Sequence, residues 1–158
     1  MRISTLDRLI LTFGMIWAFP CTFVGLLAGA IGLLSGGHVQ RQGHTLEFWG
    51  GWVTWQLNHI PLLGAASAMT IGHVILGQDL NCLNDSRLHE WVHVRQYERW
   101  GIFFFPAYFG AMVWMVCKGR HPYFDNPFEV EAFRLTEPKA DPLSHHHHHD
   151  IDQKGRMP

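Results

Sequence analysis

The chain has 158 residues, of which 47% are hydrophobic and only 16% charged, and its formal net charge is −1. That length bounds it to one domain, and the composition leans towards the membrane class, although a mean hydropathy of +0.01 keeps much of it wet. A near-zero charge leaves a nucleic-acid role without support, and Cys21, Cys82 and Cys117 form no disulfide framework.

From Leu9 to Leu34 there is no charged residue, and about 26 residues make about 39 Å of helix, enough to cross a bilayer with some tilt. Pro20 is a place for a kink, and Gly25, Gly29 and Gly32 offer a small-residue face to another helix. A signal peptide with Ala28-Gly29-Ala30 as its cleavage site is the rival reading, but the apolar run is longer than a usual h-region. Residues 1–36 therefore read as a membrane anchor. Arg2 and Arg8 precede the Leu9–Leu34 crossing and only Arg41 follows closely, which puts Met1 in the cytoplasm and the site outside.

Ser35-Gly36-Gly37 breaks the helix. Thr45 to Trp55, rich in Trp, Phe, Val and Thr around Gly50-Gly51, reads as a hairpin or a bulged strand pair. The chain turns at Asn58 to Pro61. Ile60 to Gly77 is apolar for about 18 residues, at the lower edge of a transmembrane candidate. Gly64, Gly72 and Gly77 punctuate it, so Ala65 to Leu76 reads as two short strands. His59 and His73 lack the spacing of a ligand pair and read as structural. Ligation of a haem or pigment by His73 is the weakest reading, since lone histidines on apolar segments are ordinarily packed.

Asn84, Asp85 and Ser86 offer N-caps for the next helix. A cap there would put His89 near the first turn, where the helix dipole favours a neutral imidazole. The helix carries His89-Glu90-Trp91-Val92-His93, an H-E-x-x-H stretch. Positions four apart share a helix face, so both imidazoles can reach one cation, and Glu90 is placed to take a proton from water activated there. A catalytic zinc needs a third protein ligand, and Asn126-Pro127-Phe128-Glu129-Val130-Glu131-Ala132 offers carboxylates for that place. The His face continues through Gln96, Tyr97 and Trp100, too polar for an ordinary core stripe. Arg95 and Glu98 are spaced to pair along the helix, and Gly101 ends it.

Ile102 to Cys117 is apolar, broken by Pro106 and Gly110, and closed by Lys118-Gly119-Arg120. Its 16 or so residues are short of a full hydrocarbon core. If it crossed, Glu129 would lie about 30 Å from His89 and His93, so the expectation is a re-entrant, interfacial or packed segment. Pro127 opens a short helix through Leu135 that carries Glu129. Residues 137–158 read as a flexible tail, and His145 to His149 takes no part in the site.

H-E-x-x-H followed by Glu-x-x-Ala on a later helix resembles the gluzincin metallopeptidases, especially the membrane-embedded CAAX-processing and heat-shock protease type. The string His89 to Arg99, with Asn126 to Ala132, is similar to small bacterial membrane proteins of that general class. The resemblance covers roughly Ala68 to Phe133. It implies His89, His93 and Glu129 as zinc ligands and Glu90 as general base, with Glu129 preferred because it stands three residues before Ala132. The family's usual Asp is replaced here by Phe133, a departure that bears on activity more than on metal binding.

The expected architecture is α+β: an N-terminal transmembrane helix, then a zincin-like unit over 37–136. That unit holds short strands, the H-E-x-x-H helix, a membrane-associated apolar segment over 102–117 and the Glu-bearing helix. The expected function is a zinc metallopeptidase acting on peptide or protein substrates, anchored in a bacterial inner membrane with its site on the periplasmic side. The alternative is an accessory subunit of a larger membrane complex, with a structural or vestigial zinc.

Overall fold

The computed structural model describes residues 5–60 and 65–136. The Arg2 flank, the turn at Pro61 and the tail with His145 to His149 lie outside the described residues. A four-stranded sheet organises the rest, in the order β1-β2-β4-β3. β1 (His38–Gln42) and β2 (Thr45–Trp49) form a hairpin, as do β3 (Ala68–Ile71) and β4 (Val74–Gly77). The two hairpins join through parallel pairing of β2 and β4, with Leu46 opposite Val74. Parallel central strands start at the same sheet edge, so the two hairpin turns lie side by side.

The two-residue period of a strand sorts the side chains. Val74 and Leu76 enter a cluster with Phe48, Val53 and Leu57, whereas Ile75 packs with Leu83 and Val94 on the opposite face. Helix α1 (Thr5–Leu34) and helix α2 (Gly51–Asn58) cover the first face, and helix α3 (Leu80–Trp100) covers the second. Glu47, fully buried on the α3 side, receives Arg87 through two hydrogen bonds, Nε to Oε1 at 2.8 Å and Nη2 to Oε2 at 2.9 Å. This fork fixes α3 on the sheet. Thr70 on β3, also facing α3, donates to Glu90 Oε2 at 2.7 Å.

The architecture is mixed α+β with an N-terminal apolar helix, as expected. Local readings need correction. Thr45 to Trp55 is not a hairpin: β2 ends at Trp49 and α2 begins at Gly51. Gly50 and Gly51 take φ values of 83° and 55°, which turn the chain, and Ser35 Oγ then accepts from the Trp52 N–H at 2.7 Å. The real partner of β2 is β1, a polar, largely exposed edge strand without the apolar alternation that marks a strand in sequence. The N-cap of α3 is Asp79, whose carboxylate accepts from Cys82 N–H at 2.8 Å, well before Asn84. His89 therefore sits about 15 Å along the helix, beyond the first turn where the dipole acts.

The glycine face of α1 meets this chain's own sheet and α2. A Cβ on Gly25 would lie 2.7 Å from the Ile71 carbonyl oxygen, one on Gly29 2.7 Å from the Phe48 ring, and one on Gly32 2.6 Å from Val53. Gly32 thus meets another helix, α2, while Gly25 and Gly29 meet the sheet. The other flank of α1 stays apolar and exposed, from Phe13 and Ile16 through Phe23 to Leu34.

Among the described residues, two helical stretches are long and apolar enough to cross a membrane, Thr12–Leu34 and Leu80–Cys117. In the second, charged residues continue as far as Arg99, so its apolar part is the turn Gly101–Phe103 and helix α4 (Phe104–Cys117). α4 does not carry the chain away. After Lys118 the chain folds back, and Asn126 Nδ2 donates to the Tyr108 carbonyl at 3.3 Å. Helix α5 (Pro127–Thr136) then lies against α3.

Candidate metal centre

His89 and His93 stand one turn apart on the face of α3 that meets α5. Pro127 opens α5 at a position that needs no N–H, and Glu129 in its first turn points back at the histidines. His89 Nε2 lies 3.1 Å from His93 Nε2 and 3.0 Å from Glu129 Oε2, and His93 Nε2 lies 3.3 Å from Glu129 Oε1. Ligands at about 2.0–2.1 Å from a tetrahedral zinc stand about 3.3–3.4 Å from one another. The three side chains are therefore already at the separations of a metal ligand set.

Neighbouring groups fix which atoms face the centre. Gln96 donates from its amide nitrogen to the Phe128 carbonyl at 3.0 Å and to Glu131 Oε2 at 2.9 Å. Its oxygen must then face His93 Nδ1, 2.9 Å away, which assigns the proton to Nδ1 and leaves the Nε2 lone pair towards His89 and Glu129. Arg99 holds the far oxygen of Glu131 at 3.2 Å. Tyr108, on α4, donates to Glu129 Oε1 at 2.5 Å.

Burial works against charge on both members of the His93–Glu129 pair, but the pair prevails. At His93 the hydrogen bond to Glu129, the charges of Glu90 and Glu129, and Gln96 outweigh burial and raise the imidazole to about 9. At Glu129 the hydrogen bonds from His89, His93 and Tyr108 outweigh burial and hold the carboxyl at about 2. A buried carboxylate and a cation-favouring imidazole form a locus where positive charge is stabilised. Glu90 is buried beside them, held by Thr70, and its charge acts on His93 and Tyr123.

The set His89, His93 and Glu129 is brought together, and among the described residues it is one of two groups able to hold a metal ion. Phe133 lays its ring 4.8 Å from that of His89. Tyr123 comes close enough to feel the Glu129 carboxylate, and burial first and Glu129 second raise its pKa, so it is a donor at neutral pH. Tyr97 is buried with Ala18, Cys21 and Phe104, Arg99 is spent on Glu131, and the His121 ring accepts from the backbone N–H of Tyr123 and Phe124. Tyr108 has no individual signal in sequence, being hidden in an apolar run, whereas Gln96 and Glu131 stand out as polar groups whose mutual hydrogen bond needs the contact of α3 with α5.

Comparison of the chain with family models, with curated proteins and with solved structures finds no match.

Proposed function

We propose that the protein is a membrane-attached zinc metallopeptidase of the gluzincin kind. One observation carries the reading: two imidazole nitrogens and a carboxylate converge at 3.0–3.3 Å beside a second buried carboxylate on the same helix. His89, His93 and Glu129 would hold the ion, with Tyr108 and Gln96 orienting two of them. The donor set of two imidazoles and one carboxylate suits zinc and leaves one position open. Bound there, zinc would supply Lewis acidity towards a scissile carbonyl and an acidic water. Glu90 would be the group that takes a proton from water and returns it to the leaving amine. Tyr123, kept protonated, is a neutral donor for the developing oxyanion.

The exposed flanks of α1 and α4 supply the bilayer contact, with Phe105, Val113 and Trp114 on α4. α1 faces lipid on one side only, since charged Glu98 and the sheet pack on the other. The attached membrane in this reading is a bacterial inner membrane.

The second reading is an accessory subunit with a structural zinc. It is favoured by Phe133, which packs on His89 where a carboxylate would otherwise orient it.

The test is zinc content and cleavage of a mixed pool of quenched fluorescent peptides, for wild type and Glu90→Gln. A peptidase retains zinc in both and loses at least about 10²-fold in rate in the variant. Equal cleavage by the two would overturn the role of Glu90. Zinc retained by both, with no cleavage and with unfolding on chelation, selects the structural reading.

A further inference from the structure

Glu98 lies on α3 nine residues after His89, half a turn round the helix and so on the opposite face. Its expected partner, Arg95, is not the one it meets. The two hairpin turns of the sheet carry the same dipeptide, Gly43-His44 and Gly72-His73, each just before a central strand. Parallel pairing of β2 and β4 sets these turns together, with Leu46 N–H donating to the His73 carbonyl at 3.1 Å. Both histidines then reach Glu98: His73 Nε2 is 3.2 Å and His44 Nε2 3.5 Å from the same Oε1. The three donors all lie within 4.8 Å of one another.

His73 is only 5% exposed, and its orientation is fixed from behind by α1. Thr22 Oγ lies 3.0 Å from His73 Nδ1, accepts from the His73 backbone N–H at 3.1 Å, and donates to the Ala18 carbonyl at 3.1 Å. With its one proton given to Ala18, Thr22 accepts from Nδ1–H. That leaves the Nε2 lone pair aimed at a carboxylate oxygen, a meeting of two acceptors that only a proton or a cation satisfies. Gly72 makes the approach of this turn possible, since a Cβ there would lie 2.4 Å from Thr22 N. His44 and His73 also line an open groove of about 490 Å³ with Met15, Ile16, Phe19 and Leu26, so an ion there keeps a side open.

We propose that His44, His73 and Glu98 form a second site for a divalent transition-metal ion of the zinc class, which clamps both hairpin turns to the last turns of α3. Two imidazoles with one carboxylate select this class over calcium or magnesium, which take oxygen ligands. The site shares no residue with the His89 centre and does not depend on its being catalytic.

The experiment measures bound zinc per chain in the full-length protein with His145 to His149 replaced by asparagine, after dialysis against zinc(II) and removal of excess. His44→Ala is the main variant, because its side chain is 51% exposed and its loss leaves the core intact. Glu98→Gln tests the carboxylate and His89→Ala the first centre. The expected values are two zinc per chain for the parent, one for each variant and none for His44→Ala with His89→Ala. Added zinc should also raise the thermal midpoint of His89→Ala and leave that of the double variant unchanged. An unchanged zinc content in His44→Ala and Glu98→Gln overturns the second site. One zinc in the parent, lost with His89→Ala and kept in His44→Ala, overturns it and leaves the first centre standing. One zinc lost only with His44→Ala does the reverse.

Discussion

Helix α3 carries nitrogen and oxygen donors on two opposite faces, and the two are built to different stiffness. On the His89–His93 face, His93 is fixed by Gln96 and Glu129 by Tyr108, and α4 and α5 close the centre. On the Glu98 face only His73 has such support, from Thr22, while His44 stands on a hairpin turn half in solvent. Both faces present two histidines and one glutamate. The difference teaches that ligand type sets which ion can bind, whereas the contacts behind the ligands set how well they are held.

The strongest way to break this contrast is at Glu129. Glu129→Ala should abolish stoichiometric zinc binding at the first centre, whereas Glu131→Ala and Gln96→Leu should weaken it about 10–100-fold, as expected for groups that orient a ligand. Competition with a chromophoric chelator measures both, and equal losses for Glu129 and Glu131 would move the ligand role. Next in size is the wall behind the opposite face. Gly25→Ala puts a methyl against the Ile71 carbonyl oxygen and Val74, and should cost about 1–3 kcal/mol in chemical denaturation. A neutral result would mean that α1 is not packed on the sheet.

Protons sharpen the contrast further. In chelator-treated protein His93 is raised to about 9, so its stabilising contribution is full below its ordinary value near 6.5 and is lost as pH rises through about 9. Glu129, held at about 2, stays ionised across that window and adds no slope. Zinc must displace the His93 proton, so zinc affinity should climb over the interval in which the chelated protein weakens. Denaturation midpoints and zinc titrations at pH 6, 7.5 and 9 check the opposite trends; parallel trends would contradict the pairing. The smallest effect concerns α4, where Gly110 has open space around its Cβ position. Gly110→Ala should stabilise by about 0.5–1 kcal/mol through helix propensity alone.

The meeting of His89 with His93 was legible because helical spacing by itself puts them side by side, and Pro127 announces the helix that carries Glu129, whereas the preference for Glu129 over Glu131 came from the family resemblance. What failed was whatever another segment decides. Asp79 outcompeted Asn84, Asp85 and Ser86 as cap because it follows β4 directly, and a sheet register is not visible in a cap motif. Glu98 looked like a partner for Arg95 until the parallel pairing of β2 and β4 delivered two histidines to it. Tyr108 read as one aromatic among many because its hydroxyl finds Glu129 only after the chain has doubled back.

The glycine seam of α1 has a consequence for synthesis. Its partners are late: Phe48, Ile71 and Val74 form the groove, and Cys21 Sγ contacts the Gly101 carbonyl at 4.0 Å across a separation of 80 residues. At about 5–20 residues per second, α1 waits about 4–16 s after leaving the ribosome before that last surface exists. During that interval the apolar stretch of α1 from Phe13 to Leu34 is uncovered and free to settle against lipid or another helix. In the membrane-attached reading proposed above, the nascent chain meets the bilayer as an isolated helix, and the sheet and α3 assemble onto a segment already placed there.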